Sequence, residues 1–286
     1  MRSWLILILL GITWGSSYIL IKRGLVAFSA EEVACLRITI SALAFSPVFI
    51  YRYKKIEWSR WPAFLTVGIA GSGLPAFLFA TAQTHLSSSL AGVLSSLTPL
   101  FTLLLGIAFF GIAFQVKKLV GVLIGLAGAV FLILFGNNSA ELGGDLFYGS
   151  LVLLATGCYA LSSNTVKTYL SDLDALTISA VSFFLIGSPA FVYLAFSDVP
   201  AQLWNATPHA WSSLGYIGIL SLGGTVFASI FFFTLVQWRD ALFASLTSYL
   251  VPIVALLWGL FDNETITLYH GLGLMLIMTG LYLSRR

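Results

Sequence analysis

Arg37 is the only ionisable residue of this chain that can lie deep inside an apolar run, within CLRITISALAFSP, and no Asp or Glu does so. It falls about six residues inside its run, roughly 8–9 Å from the end if that run is helical. A buried guanidinium is costly unless paired, which leaves two roles open. Arg37 can anchor structure by bonding Glu31, Glu32 or another helix end, or it can gate a mouth or contact a carboxylate. Without an embedded acid, a carboxylate relay coupled to protons or sodium is not evident. Coupling would have to use groups near the mouths: Glu31, Glu32, His85, Asp240 and Glu264.

Aromatic and small polar side chains supply the remaining chemistry. Trp14, Ser16, Ser17 and Tyr18 form one cluster, and Tyr159, Ser162, Ser163 and Asn164 form another. Phe79, Gln83, Ser95 and Ser96 recur in kind as Phe233, Gln237, Ser248 and Tyr249. Hydroxyls and amides can hold the polar end of an amphiphilic molecule while aromatic faces take its apolar part. The competing reading is plain packing, because small polar residues are enriched where membrane helices approach closely. Pro99 and Pro252 each free a backbone carbonyl in mid-run and are candidate hinges.

Enzyme chemistry finds little support. His85, His209 and His270 stand at separate run ends without metal-ligand spacing, and Ser72 in Gly71-Ser72-Gly73 has no evident histidine base. Cys35 and Cys158 lie singly in apolar runs and form no CxxC site. No metal or cofactor is expected. A polar-lined channel remains an alternative to a carrier.

The elements that must position these residues follow from composition. Of 286 residues, 59% are hydrophobic and 9% charged, against roughly 45–50% and 25% in a soluble domain. Runs of about 20 nearly uncharged residues match a bilayer crossing. Ten candidate spans emerge: 3–21, 32–51, 61–82, 87–110, 118–135, 147–169, 175–196, 211–236, 241–261 and 267–283. They are too long for strands, so the expected class is an all-α polytopic membrane protein. The first run reads as an uncleaved helix. A net charge of +3 made of scattered cations does not suggest nucleic-acid binding.

Alternating the loops places eleven of the fourteen basic residues on one side and Lys22 and Arg23 on the other. The positive-inside rule then puts both termini in the cytoplasm. Trp4, Trp58, Trp61, Trp204 and Trp211 fall near span ends, where an interfacial belt belongs. Gly11 with Gly15, and Gly121 with Gly125, have the spacing of close helix contacts or, less favoured, of a dimer face. Asn-X-Ser/Thr triplets begin at Asn137, Asn205 and Asn263, but the compact chain reads as bacterial, where they would stay unmodified.

Residues 1–137 and 145–286 align as repeats. Trp14-Gly15 and Lys22 meet Tyr159-Ala160 and Lys167, and Phe45-Ser46-Pro47 meets Gly187-Ser188-Pro189. Gln83 meets Gln237, Ala91 to Pro99 meets Ala244 to Pro252, and Gly121 and Gly128 pair with Gly273 and Gly280. Five spans per half require opposite insertion, hence an inverted repeat.

The residues GITWGSSY, Arg37 in CLRITISALAFSP, AQTHLSSSLAGVLSSLTPLFTLLLG and VQWRDALFASLTSYLVPIVALLWGLFDNETITLYHGLGLMLIMTG resemble the EamA-type carriers of the drug/metabolite transporter superfamily. The likeness covers essentially the whole chain. One departure is visible: the acid that follows the fourth helix of each half is present as Glu264 but replaced by Ile112 in the first half.

The resemblance implies two five-helix halves around a central cavity that opens alternately to either side, and export of amino acids or related metabolites. Together with the residues above, it gives as candidate substrate contacts Trp14, Ser17, Tyr18, Phe79, Gln83 and Ser96 from the first half. The second half offers Tyr159, Ser163, Asn164, Gln237, Ser248 and Tyr249. Arg37, Glu32, His85, Pro99 and Pro252 are candidates for gating or coupling. The alternative cargo is a quaternary amine, a nucleobase or a drug-like cation, for which Trp14, Tyr18, Tyr159 and Tyr249 could form a cage. The expected setting is a bacterial inner membrane, with a small-molecule substrate and the bilayer as partners and a monomer or weak homodimer as the assembly.

Overall fold

The structure, a computed structural model, describes residues 2–112, 116–135 and 142–284. Asn137, Glu141, Arg285 and Arg286, which enter the repeat boundary, sequon and charge readings, lie outside the described residues. Among the described residues all regular structure is helical.

Ten long helical segments follow one another: α1 Arg2–Gly24, α2 Ala30–Arg52, α3 Trp58–Ala82, α4 Ser88–Phe109, α5 Val116–Phe135, α6 Leu142–Tyr169, α7 Ala175–Phe196, α8 Ala210–Trp238, α9 Ala241–Phe261 and α10 Leu268–Ser284. Eight are long and apolar enough to cross a membrane; α5 and α10 contribute the shorter apolar stretches Leu123–Leu132 and Leu268–Gly280. A further short helix, Val199–Trp204, lies in the connection before α8, where only a loop was expected. Pro200 sits in its first turn, the position where a missing N–H costs nothing.

Local chemistry sets where helices begin. Ser29 caps α2 in a reciprocal capping box, taking the Glu32 N–H at 3.2 Å while the Glu32 carboxylate takes the Ser29 N–H at 2.9 Å. Ser87, Asp174 and Asp240 cap α4, α7 and α9 through their side chains.

Four of the long helices are irregular within their length. In α4 a 3-10 turn, Ser95–Leu97, precedes Pro99, and in α9 another, Leu246–Tyr249, precedes Pro252. Proline cannot bond the carbonyl four residues back; at Pro99 that Ser95 carbonyl accepts the Thr98 N–H of the 3-10 turn and the Thr98 hydroxyl at 2.8 Å instead. In α3 and α8 the backbone widens into π turns, Ile69–Gly73 and Leu220–Phe227. The sequence reading anticipated the proline breaks but not the π turns.

Helices of the first half pack mainly on helices of the second. Helix α1 lies against α8 and α9, and α6 lies against α3 and α4. The pairs α2 with α7, α4 with α9, and α5 with α10 complete the bundle. Inside a bilayer apolar area alone does not drive helices together, so close packing must do so. A Cβ on Gly15 would sit 2.9 Å from the Val251 carbonyl oxygen, and one on Gly280 would collide with the Gly121–Gly125 backbone. Both GxxxG pairs are therefore used inside the chain, Gly11 and Gly15 on α9 and Gly121 and Gly125 on α10 and α4. Outward-facing Ile12, Ile50, Phe191, Phe261 and many similar residues leave an apolar exterior. Such a surface suits lipid and not water.

Candidate functional site

The four irregular helices and α1, α2 and α6 surround a central cavity. Helix α1 contributes Trp14, Ser17 and Tyr18, and α6 contributes Tyr159 and Ser162. The π turns bring Gly71 and Ser72 from α3 and Gly224 and Thr225 from α8. The 3-10 turns bring Ser95 from α4 and Ser248 from α9. A π turn widens a helix locally and a 3-10 turn tightens it; such interruptions often mark functional positions.

Aromatic rings line the walls in contact with one another. Trp14 meets Phe232 with centroids 5.1 Å apart, Tyr18 meets Phe79 edge-on at 5.5 Å, and Phe79 stacks with Tyr159 at 5.9 Å. Each such pair adds about 0.5–1.5 kcal/mol beyond its buried area. The Trp14 indole N–H donates to the Gly224 carbonyl at 3.0 Å, so the ring is fixed against the π turn of α8.

Arg37 is 8% exposed, and its Nε donates to the Thr225 hydroxyl at 2.7 Å. Tyr159 on α6 interacts with it electrostatically. The guanidinium thus bonds the π turn of α8, not Glu31 or Glu32; Glu32 is spent on the capping box. Helix α2, buried against α7, holds Arg37 at the cavity wall.

Of the residues proposed from sequence, the cavity gathers Trp14, Ser17, Tyr18, Phe79, Tyr159, Ser248 and Arg37. The three amides lie outside its lining and tie elements together. Gln83 donates to the Tyr18 carbonyl at 3.0 Å, Gln237 to the Leu173 carbonyl, and Asn164 to the carbonyls of Thr102 and Ala160, each at 3.0 Å. Ser96 and Ser163 turn back onto their own helices, bonding the Val93 and Ala160 carbonyls. Tyr249 packs half-buried against the core. His85 lies at a helix end, stacked on Tyr148 with centroids 3.8 Å apart. Pro99 and Pro252 stand in the first turns after the 3-10 breaks.

Sequence reasoning missed Gly224, Thr225, Phe232 and Ser229 as lining residues, and weighed Ser72 only as a nucleophile. A signal existed. Gly71-Ser72-Gly73 and Gly223-Gly224-Thr225 are small-residue interruptions at matching places in otherwise apolar runs.

The two ends of the bundle close differently. Beyond α9, the Glu264 carboxylate receives Lys22 at 2.8 Å, and it also takes the backbone N–H and hydroxyl groups of both Ser88 and Ser89 at 2.6–3.1 Å. Asp262 pairs with Lys22 at 2.6 Å and with Arg23. Burial alone would push the Glu264 carboxyl up, but Lys22 and the serine donors outweigh it and bring it down to about 2. The acid also sits at the N-terminus of α4, where the helix dipole favours negative charge. At the other end Ile112 follows a comparable turn, its N–H reaching the Gly106 carbonyl at 3.0 Å as Glu264 reaches Gly259 at 2.8 Å. There the side chain packs apolarly on Gly106 and Lys167 bonds the Arg239 carbonyl at 3.0 Å, while the ion pairs of that end, Arg52 with Asp174 and Arg60 with Asp172 at 2.6 Å, join other elements.

A bundle of long apolar helices around a central amphiphilic cavity defines a polytopic integral membrane protein. The EamA-like transporter family matches residues 1–134 and 146–286, and the chain belongs to that family. An uncharacterized transporter of Archaeoglobus fulgidus is 28% identical, over 100% of this chain and 99% of its own length. A probable amino-acid metabolite efflux pump of Escherichia coli strain K12 is 26% identical, over 97% and 92%. The uncharacterized inner membrane transporter YedA of the same strain is 25% identical, over 95% and 87%. A solved crystal structure has the same fold, with a TM-score of 0.66 at 16% identity, covering 99% of this chain and 96% of that one.

Proposed function

We propose that this transporter is an alternating-access carrier that exports amino acids or related small metabolites across the inner membrane, with both termini in the cytoplasm. The observation that carries this reading is the central cavity, to which both halves contribute aromatic and hydroxyl groups from helices broken at matching points. Matched pairings of α1 with α8 and α9, and of α6 with α3 and α4, support two five-helix inverted repeats and ten crossings. The named efflux pump, aligned over nearly the whole chain, supports amino-acid metabolites as cargo.

The test is counterflow into proteoliposomes loaded in turn with amino acids, nucleobases and quaternary amines. A carrier gives saturable uptake accelerated by substrate on the opposite side. Flux linear in concentration without that acceleration would mean a channel, and counterflow confined to amines or nucleobases would replace the cargo.

A further inference from the structure

Two cavity side chains hold hydrogen-bonding capacity that their protein partners do not use. Arg37 is 8% exposed, and none of the ion pairs among the described residues includes it. A guanidinium has five N–H donors; the Thr225 hydroxyl accounts for one, and Tyr159 is its electrostatic neighbour. Ser162 lines the same cavity at 2% exposure, and its hydroxyl has no hydrogen-bond partner. It stands one helical turn after Tyr159, so it lies on the face of α6 that also meets Arg37. It packs directly on the π turn of α3, where a Cβ on Gly71 would touch its oxygen.

The charge in this cavity is one-sided. Among the described residues Arg37 is its only charged lining residue, and no carboxylate among them lines it to receive an ammonium group. Trp14 and Arg37 are tied to consecutive residues of one π turn, Gly224 and Thr225, so an aromatic wall and a cation stand side by side. An intramembrane Arg is expected to find an anionic partner, and planar guanidinium matches a carboxylate fork.

We infer that Arg37 and Ser162 form a carboxylate subsite, and that the preferred cargo is a small organic acid of net negative charge whose apolar body lies against Trp14 and Phe232. This rests on the carrier reading above and narrows it: a free ammonium is not required and is not rewarded.

The test uses three probes with one phenyl body, namely 3-phenylpropanoate, phenylalanine and phenethylamine, together with hexanoate and indole-3-propanoate as other carboxylates. Binding to purified protein is read by thermal stabilisation and calorimetry at pH 7. The acids are expected to bind, phenylalanine more weakly and phenethylamine least. Arg37→Gln should weaken acid binding by about 10–100-fold, as loss of charged hydrogen bonds does, and Ser162→Ala by less. Arg37→Lys, which keeps the charge, should restore part of the affinity and guards against a folding defect in the Gln variant. Preference for phenethylamine, equal affinity of Arg37→Gln for the acids, or no binding by any carboxylate would each overturn the subsite. Counterflow of a neutral or cationic solute would survive all three results, so the carrier reading falls only on its own assay.

Discussion

Lys22 and Glu264 are 242 residues apart in the chain and 2.8 Å apart in the fold. Their contact joins the end of α1 to the loop after α9, and through Ser88 and Ser89 the same carboxylate holds the start of α4. One acid thus ties three helices together at a single mouth of the bundle.

Removing that acid's charge should loosen the mouth. Glu264→Gln is predicted to destabilise the protein by about 1–3 kcal/mol, because it leaves Lys22 with Asp262 alone and replaces the charged acceptor of the serine donors by a neutral one. A double-mutant cycle with Lys22→Gln, read by thermal denaturation in detergent, should give a coupling of about 1 kcal/mol or more. Additive effects would show that the two side chains do not support each other.

Protonation should act in the same direction. The Glu264 carboxyl is held at about 2, below its ordinary value of 4.5. A group whose value is depressed on folding stabilises fully above its unfolded value, and that contribution is lost as pH falls through the folded one. Between about pH 4.5 and 2 the wild-type melting temperature should therefore fall more steeply than that of Glu264→Gln. Parallel curves would mean that the acid is not held as described.

Glycine packing offers a test that does not touch the cavity. Gly15→Ala would bring a methyl group 2.9 Å from the backbone oxygen of Val251, which cannot swing aside, and should cost about 1–3 kcal/mol. Gly215→Ala meets nothing within 4 Å and should be neutral or, by helix propensity, stabilising by up to about 1 kcal/mol. Equal melting temperatures for the two variants would contradict the close contact between α1 and α9.

Trp14 should matter through both its ring and its N–H. Trp14→Phe keeps an aromatic face toward Phe232 but loses the bond to Gly224, whereas Trp14→Ala loses both. In counterflow assays the KM of the carried solute should rise about tenfold or more for Ala and less for Phe. An unchanged KM in both would remove Trp14 from the substrate path.

Much of the architecture was legible in the sequence because bilayers impose simple rules on length and apolarity. The runs around α1, α2, α4, α7 and α9 stand within a few residues of their predicted ends. Pro99 and Pro252 announced breaks that the helices show. The π turns escaped notice because they depend on Gly71 and Gly224 being approached by Ser162 and Ser17 from other helices, a tertiary fact without a local period. Gln83, Gln237 and Asn164 were drawn into the candidate site for their polarity. Polarity alone cannot tell a ligand contact from an amide that ties one helix to a neighbouring carbonyl, and all three do the latter.

The central claim is that solute passes through the cavity between the halves. Ser248 lines that cavity and is small, so Ser248→Trp should fill it without touching the ionic closure at Lys22 and Glu264. Counterflow by this variant in proteoliposomes, at matched protein amount and melting temperature, is the most direct measurement. The account predicts that exchange falls to the level of empty liposomes, and exchange at the wild-type rate would contradict it.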